Sequence, residues 1–494
     1  MLDFRGLVEH ALQALEQERP AEAERSIRAA LGMNPRDDQL LHLLGVALIR
    51  QQREEEAIEP LQKAISLNRR DAEYHNALGI ALRNSGRVAE GVDSLLRAVK
   101  LDPGLQDAHF NLGESHQRLG EFAKAEERFR IVQARNPGDV EIIAALSNLH
   151  WFVGDHERAL RDLREGIAAN PANGDIRFLL GEQLLALGRY EEGWYQYLWR
   201  VNRHAFLKKV GLPFDSPALL APLPASLEGV TLRVHAEQGI GDDLFFLRFV
   251  HHLRERGARV VGAITPRLLD MVGRSGSLDA REPAPERIPP SADYLLLGDL
   301  PYLLEAHRMA IPRTLRIAPL PARVAEVAAR LQGLARPLIG LTWRAGTGPE
   351  SGNRNALFKA VPFGNFVTLA ERLPGTLLVL QRLPKADEVA SLTLACGGSR
   401  VVDFSALNAD LEAMHALLSL IDEYVGVSNT NMHLCAALGR SARVLVSRST
   451  EFRWLASGSE SPWFPGFPVY RQGEKGDWVQ AMDAIVADVN PGSI

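Results

Sequence analysis

Cysteine is nearly absent. Cys396 and Cys435 are the two thiols in 494 residues, too few for a disulfide framework or a thiolate metal site. Both lie in apolar stretches and read as buried thiols in a reducing cytosol. An excess of one charge is also lacking. The formal net charge is −5 and no basic stripe stands out, so the chain carries no nucleic-acid footprint. No apolar run is long enough to span a bilayer. Asp3, Glu9, Glu16 and Glu18 interrupt the leucines between Met1 and Pro20, which excludes the basic start and apolar run of a secretory signal. These absences lead us to expect a soluble, cytoplasmic protein. What is present is 46% apolar and 24% charged residues, the balance of a globular chain that buries real cores.

A 34-residue period runs through the first two-fifths. Pro103, Pro137 and Pro171 are one period apart, and Pro35 lies two periods before Pro103. Gly45, Gly79, Gly113 and Gly181 repeat it with Ser147 in the gap, and Gly86, Gly120, Gly154 and Gly188 repeat it again. Leu44, Leu78, Leu112, Leu146 and Leu180 form a further column, as do Ala57, Gly91, Ala125, Ala159 and Gly193. Each unit should be a pair of antiparallel helices. Small residues let the helices approach, a glycine turns the chain in the left-handed region, and a proline separates units. Columns in register over several periods resemble the tetratricopeptide repeat (TPR) family. About six units are expected over 4–202, an α-solenoid whose concave groove suits a peptide or protein. Asn76 and Asn111 fall near the inner face, either as clamps on a target backbone or as polar surface.

Trp194, Tyr195, Tyr197, Trp199 and Phe206 follow the last unit. They read as a hydrophobic cap, with a ligand box as the alternative. Pro213, Pro217, Pro222 and Pro224 make 203–229 a junction. From Val230 onward, short β-branched runs alternate with amphipathic helices, the pattern of parallel sheets with crossover helices. Two Rossmann-like lobes are expected, over 230–320 and 321–494. Strands are expected at Thr231–His235, Arg259–Ile264 and Tyr294–Leu297 in the first. In the second they are expected at Leu338–Thr342, Thr376–Leu380, Arg400–Asp403, Tyr424–Val427 and Arg443–Val446, with a last helix at Trp478–Val489.

Ligands in such folds sit outside the carboxyl ends of strands, and three loops there carry chemistry. The first, HAEQGIGDD, runs from His235 to Asp243 and opens a helix expected over Leu244–Arg256. Gly239 and Gly241 allow close backbone approach, and Asp242 and Asp243 either cap the helix or face the cleft. The second contains Trp343 and Arg344, a glycine-rich run to Gly348, and then Asn353, Arg354 and Lys359, a setting suited to phosphate oxygens. In the third, Ser428, Asn429, Thr430 and Asn431 crowd a helix start, where hydroxyls, amides and N–H groups can hold a diphosphate. His433 lies one turn in, as a packed residue or a ligand contact.

The stretches HAEQGIGDDLFFLRF, GLTWRAG, VVDFSALNADLEAMHALLSLIDEYVGVSNTNMHLCAALG and FRWLASGSESPWFPGFPVYRQ together resemble the bacterial TPR-glycosyltransferases with a heptosyltransferase-like catalytic part. That resemblance implies a GT-B fold and metal-independent, inverting transfer from a nucleotide-sugar bound in the C-terminal lobe. It also implies no further cofactor, and an acceptor protein or peptide recruited by the TPR groove. No Asp-x-Asp metal motif occurs in the candidate loops, in keeping with this. Asp242 matches the proposed general base, with Asp243 beside it. Lys359 matches the basic residue before a short proline motif that contacts donor phosphate. Thr430 and His433 match the donor loop, and Gly239, Gly241, Trp343, Arg344, Gln381, Ser428, Asn429 and Asn431 join them as candidate binding residues. Asn429 stands where the family carries aspartate, and Leu434 and Cys435 where it carries a small pair, so a different donor or a weaker donor site is implied. The alternatives are a non-catalytic TPR scaffold, and a lipopolysaccharide-type transferase that would need a basic surface around Arg248, Arg254, Arg256 and Arg259.

Overall fold

The computed structural model describes residues 3–214, 220–283, 294–345, 359–448, 451–474 and 476–490. Pro217, Pro285, Pro289 and Pro290, the run Gly346–Gly348, Asn353 and Arg354 lie outside the described residues. The chain divides into two compact units, Met1–Pro171 and Ala172–Ile494.

The first unit is a row of antiparallel helix pairs, from Phe4–Glu16 with Pro20–Met33 to Val140–Phe152 with His156–Ala169. The expected columns have physical counterparts. A Cβ on Gly45, Gly79 or Gly113 would overlap Leu61, Leu95 or Phe129 of the partner helix, so only glycine admits this spacing. Gly86, Gly120, Gly154 and Gly188 turn the chain at φ of 74–90°. Two columns escaped the sequence reading. Asp3, Asp37, Asp71, Asp139 and Asn173 recur at the same period, and each caps the first helix of its unit through a side-chain oxygen. Glu18 and Gln52 occupy the turn position of the first two units at φ of 54° and 59°, left-handed without glycine. An L side chain is strained there by about 1–2 kcal/mol. Gln52→Gly is therefore expected to stabilise the first unit by about 1 kcal/mol after glycine's greater unfolded-state freedom is counted. Urea unfolding of the two proteins checks this, and an equal or lower stability contradicts it.

Asn76 is buried, and Asn111 Nδ2 donates to Asn76 Oδ1 at 3.0 Å. The two asparagines bond each other along the row.

The sixth pair, Gly174–Ala186 with Tyr190–Tyr197, continues the repeat pattern yet packs within the second unit. That unit is α/β. Strands β1 (Thr231–His235), β2 (Arg259–Ile264), β3 (Ala280–Pro283) and β4 (Tyr294–Leu296) form a parallel sheet ordered β3-β2-β1-β4. A second parallel sheet is ordered β12-β11-β10-β5-β8-β9. It contains β5 (Leu338–Thr342), β8 (Thr376–Val379), β9 (Val401–Asp403), β10 (Glu423–Val427), β11 (Arg443–Val446) and β12 (Val469–Arg471). A short antiparallel pair, β6 (Arg344–Ala345) with β7 (Lys359–Ala360), sits beside it.

The expected strands form, with ends shifted by at most one residue. Strands β3 and β12 were not expected. Both are short edge strands of three or four residues that carry Arg281 and Glu282 or Arg471, so they lack the apolar run that marks a central strand. The helix expected over Leu244–Arg256 begins earlier, at Ile240, and is broken by a 3₁₀ turn at Leu247–Phe249. Among the described residues, no helix is long and apolar enough to cross a membrane.

Candidate functional site

Each large sheet reverses its strand order at one place. In the first sheet the chain leaves β1 for β2 on one side and returns to β4 on the other. In the second it runs from β5 outward to β9, then crosses back to β10. The loops at such reversals diverge and leave a crevice at the carboxyl ends of the strands. The three loops singled out from sequence follow β1, β5 and β10, so they stand at these reversals.

After β1, the helix Ile240–Phe246 starts with Gly239 as its N-cap. The two aspartates separate cleanly. Asp242 keeps 33% of its side chain exposed and forms an ion pair with the buried Arg453. Asp243 is 1% exposed, and its Oδ2 accepts the Thr265 hydroxyl at 2.7 Å. Asp242 can therefore meet a substrate, whereas Asp243 anchors the loop. A Cβ on Gly241 would lie 3.1 Å from the His433 ring, so this glycine lets the β1 loop rest against the helix Thr430–Leu438.

Burial pushes the Asp243 carboxyl up to about 8, helped by Glu237 and Asp242 and opposed by the Thr265 hydroxyl. Its folded pKa thus lies above its unfolded value. The stability it contributes is fully present below about pH 4 and is lost as pH rises toward 8. Asp243→Asn is expected to flatten the pH dependence of unfolding between pH 5 and 8 by up to about 1 kcal/mol per pH unit. Urea midpoints at both pH values test this. An unchanged slope would contradict it.

After β10, Asn429 caps the helix Thr430–Leu438. Its Oδ1 accepts the N–H groups of Asn431 and Met432, at 2.9 and 3.3 Å, and the Tyr424 hydroxyl at 3.0 Å. Its Nδ2 donates to Thr342 Oγ1 at 2.9 Å. The amide thus joins the ends of β5 and β10 as donor and acceptor at once, which an ionised aspartate could not do. Thr430 is half-buried, while Asn431 and His433 are buried. Burial first, then Arg453, Arg248 and Lys359, hold His433 well below its usual range. The imidazole is neutral and packs edge-on against Phe464.

Ser428 donates to Glu451 Oε1 at 2.8 Å, and Lys359 Nζ pairs with the same oxygen at 2.8 Å. Arg453 Nη1 lies 3.6 Å from it. Asp242, Arg453, Glu451, Lys359 and Ser428 thereby form one connected chain of charged and polar groups, reaching from the β1 loop to the β10 loop. A small pocket beside it is lined by Lys359, Val427, Ser428, Ser447, Glu451 and Trp478, among others.

The groups after β5 are engaged elsewhere. Trp343 is buried in the core of the second sheet. Gln381 is also buried, and its Oε1 accepts the backbone N–H groups of Trp343 and Arg344, each at 3.0 Å. The Arg344 guanidinium pairs with Glu388 and donates to the Leu383 carbonyl at 2.9 Å.

Four members of this region were missed from sequence. Arg453 and Glu451 were visible only as part of, or next to, the FRW tail. Arg248 was read as surface. It is in fact buried, donates to the carbonyls of Phe245 and Trp463, and lies over the Phe245 and Phe464 rings. Burial lowers it to about 9, so it stays charged at neutral pH, and it offers no basic membrane-facing surface. The fourth is Glu182, on the first helix of the sixth repeat. Burial pushes its carboxyl up to about 8, against the pull of Lys359 and Arg453 and with the push of Glu451 and Asp242. A repeat helix thus places a half-buried carboxyl within electrostatic reach of this charged cluster.

The aromatic group after the repeats divides. Trp194 and Tyr197 are buried against Phe246 and Phe452, as expected of a cap. Tyr195 is exposed, Trp199 stacks on Phe214, and Phe206 lies on His235. Below them, Arg200 Nη2 pairs with Glu237 at 2.7 Å and Asp299 at 2.6 Å, and Arg203 Nε pairs with Asp299 at 2.9 Å. All four side chains are buried. This network ties the β1 loop to the segment that follows the repeats.

The tetratricopeptide repeat family matches residues 8–75, 61–106, 76–140 and 144–198. Residues 8–198 carry tetratricopeptide repeats. Protein FlbA of Caulobacter vibrioides is 26% identical over 342 residues, covering 63% of this chain and 54% of that protein. The chain thus spans about half the length of this curated relative. Among solved structures, a thermophilic TPR protein of Thermus thermophilus is 22% identical, covering 37% of this chain and 100% of its own, with a TM-score of 0.33. The PilF structure of Pseudomonas aeruginosa is 19% identical, covering 42% of this chain and 97% of its own, with a TM-score of 0.35.

Proposed function

We propose that the second unit is a GT-B glycosyltransferase that transfers a sugar from a nucleotide-sugar to a protein or peptide recruited by the TPR array. The observation that carries this reading is the connected chain Asp242–Arg453–Glu451–Lys359–Ser428 between the two sheet reversals. It supplies a one-third exposed carboxylate at one end and an ammonium and a hydroxyl suited to phosphate oxygens at the other. Repeat grooves are general platforms for proteins and peptides, which supports the acceptor class.

In this reaction Asp242 takes the proton from the acceptor hydroxyl. The hydroxyl oxygen forms a bond to the anomeric carbon as the bond from that carbon to the donor phosphate breaks. The nucleoside diphosphate leaves with the electron pair, its charge offset by Lys359, Arg453 and the helix start at Thr430. Gln381 and Asn429 hold the β5 and β10 loops in place, while Asp243 and Gly241 hold the β1 loop.

The second reading is a scaffold without turnover. It is favoured by the pairing of Lys359 with Glu451, Arg453 with Asp242 and Arg344 with Glu388, which leaves each of these cations already neutralised. Incubating the purified chain with a panel of labelled nucleotide sugars, and with lysate of cells lacking it, separates the two. Label on a protein, and nucleotide binding by calorimetry, are expected. Lys359→Ala should weaken that binding about tenfold to a hundredfold, the worth of a hydrogen bond to a charged group. Absence of both transfer and binding would leave the scaffold.

A further inference from the structure

Glu451 is a buried carboxylate with an unusual set of neighbours. Its Oε1 lies 2.8 Å from Lys359 Nζ, accepts the Ser428 hydroxyl at 2.8 Å, and stands 3.6 Å from Arg453 Nη1. One oxygen thus gathers an ammonium, a hydroxyl and a guanidinium, the donor set that a phosphoryl oxygen takes in a protein site. Glu451 is also the one carboxylate among the described residues lining the adjacent pocket. Trp478 lines that pocket too, and its indole Nε1 is buried without an acceptor among the described residues. An N–H in that condition lacks a hydrogen-bond partner that a ligand oxygen could supply.

We propose that Glu451 holds the place of a ligand phosphoryl oxygen, and that a diphosphate-bearing ligand binds by displacing this carboxylate from Lys359 and Ser428. The inference rests on the reading of Lys359 and Ser428 as donor-phosphate contacts.

Charge dictates the exchange. A phosphate oxygen and a carboxylate cannot share one ammonium at close range in a water-poor site without strong repulsion. Either the carboxylate leaves or the ligand stays out. Glu451 also keeps the part-buried Lys359 compensated when no ligand does so, while Arg453 has Asp242 as a second anionic partner. The cost of moving Glu451 is subtracted from the affinity of every anion. A weakly charged anion does not repay that cost. A diphosphate, with more charge and more acceptor oxygens, does. Glu451 is thus a self-inhibiting contact that selects diphosphates over weaker anions.

Calorimetry on the full chain tests this with inorganic pyrophosphate and with uridine diphosphate as probes. Glu451→Gln has the same shape and still accepts the Ser428 hydroxyl, but it carries no charge. It is expected to bind pyrophosphate at least tenfold more tightly than the natural chain, and Glu451→Ala is expected to gain similarly. Adding Lys359→Ala to Glu451→Gln should abolish the gain. Circular dichroism and the urea midpoint confirm folding. Unchanged or weaker pyrophosphate binding in both Glu451 variants overturns the exchange, as does binding of neither probe by any variant. A pyrophosphate gain without sugar transfer from any donor defeats the transferase reading and leaves the exchange standing. Uridine diphosphate bound by the natural chain but weakened in both Glu451 variants defeats the exchange and leaves the nucleotide reading standing.

Discussion

Arg200→Met is expected to destabilise the unit Ala172–Ile494 by about 3–5 kcal/mol, the usual cost of breaking a buried ion pair from one side. The guanidinium sits between Glu237 and Asp299 with all three side chains buried. Methionine fills much of the volume, so the loss comes from charge and not from a cavity. Asp299 keeps Arg203 at 2.9 Å, but Glu237 loses its cationic partner in a place that water does not reach. Tryptophan fluorescence in urea reads this well, because six of the seven tryptophans lie beyond Pro171. Adding Glu237→Gln should recover part of the loss by removing the stranded charge. A shift below about 1 kcal/mol, the range of exposed pairs, would mean that the network is not buried as described. The effect should also reach function, since Glu237 belongs to the loop that carries Asp242.

What was legible in the sequence was whatever repeats or alternates locally. The 34-residue columns predict helix pairs because each column answers one steric demand, such as the close approach of Leu95 to Gly79. The central strands were equally plain, since a strand buried on both faces must be a run of apolar residues. The aspartate caps are less legible because Leu105 breaks their column and Asn173 replaces aspartate at its end. The charged cluster was legible in part. Asp242, Lys359 and Ser428 lie in the segments that follow β1, β5 and β10, where function is sought. Arg453 meets Asp242 across 211 positions of sequence, and no local pattern announces such a partner. Glu182 was invisible for another reason: a glutamate on a repeat helix looks like solvated surface until the sixth pair is found packed within the α/β unit. Asn429 shows a residue legible in position but not in role. Its departure from aspartate suggested a different donor or a weakened donor site, yet its amide is consumed in joining β5 to β10 and capping a helix.

Asp242→Asn is expected to lower sugar transfer by about a hundredfold to ten-thousandfold, the usual contribution of a positioned base. Nucleotide binding should not weaken, because the ligand phosphates are assigned to Lys359, Arg453 and the helix start at Thr430 and not to this carboxylate, and removing its charge leaves Arg453 freer to meet an anion. Asparagine keeps the size of aspartate and can still accept from Arg453, so the fold should hold, as circular dichroism would confirm. Asp243→Asn is the matched control. Its carboxyl is buried and bonded to Thr265, so it cannot reach an acceptor hydroxyl, and transfer should fall by less than about tenfold, through loop position alone. The ratio between the two variants identifies the base. Comparable losses in both would mean that the β1 loop acts by shape and that neither carboxylate carries the proton. A large loss in Asp243→Asn alone would assign the chemistry to the buried carboxyl and require the loop to open during turnover. Full transfer in Asp242→Asn would remove the base from this loop. Glu182 would then become the next candidate, because it feels the charges of Lys359, Arg453, Glu451 and Asp242 and, at about 8, titrates in the range where a base is poised for work near neutral pH.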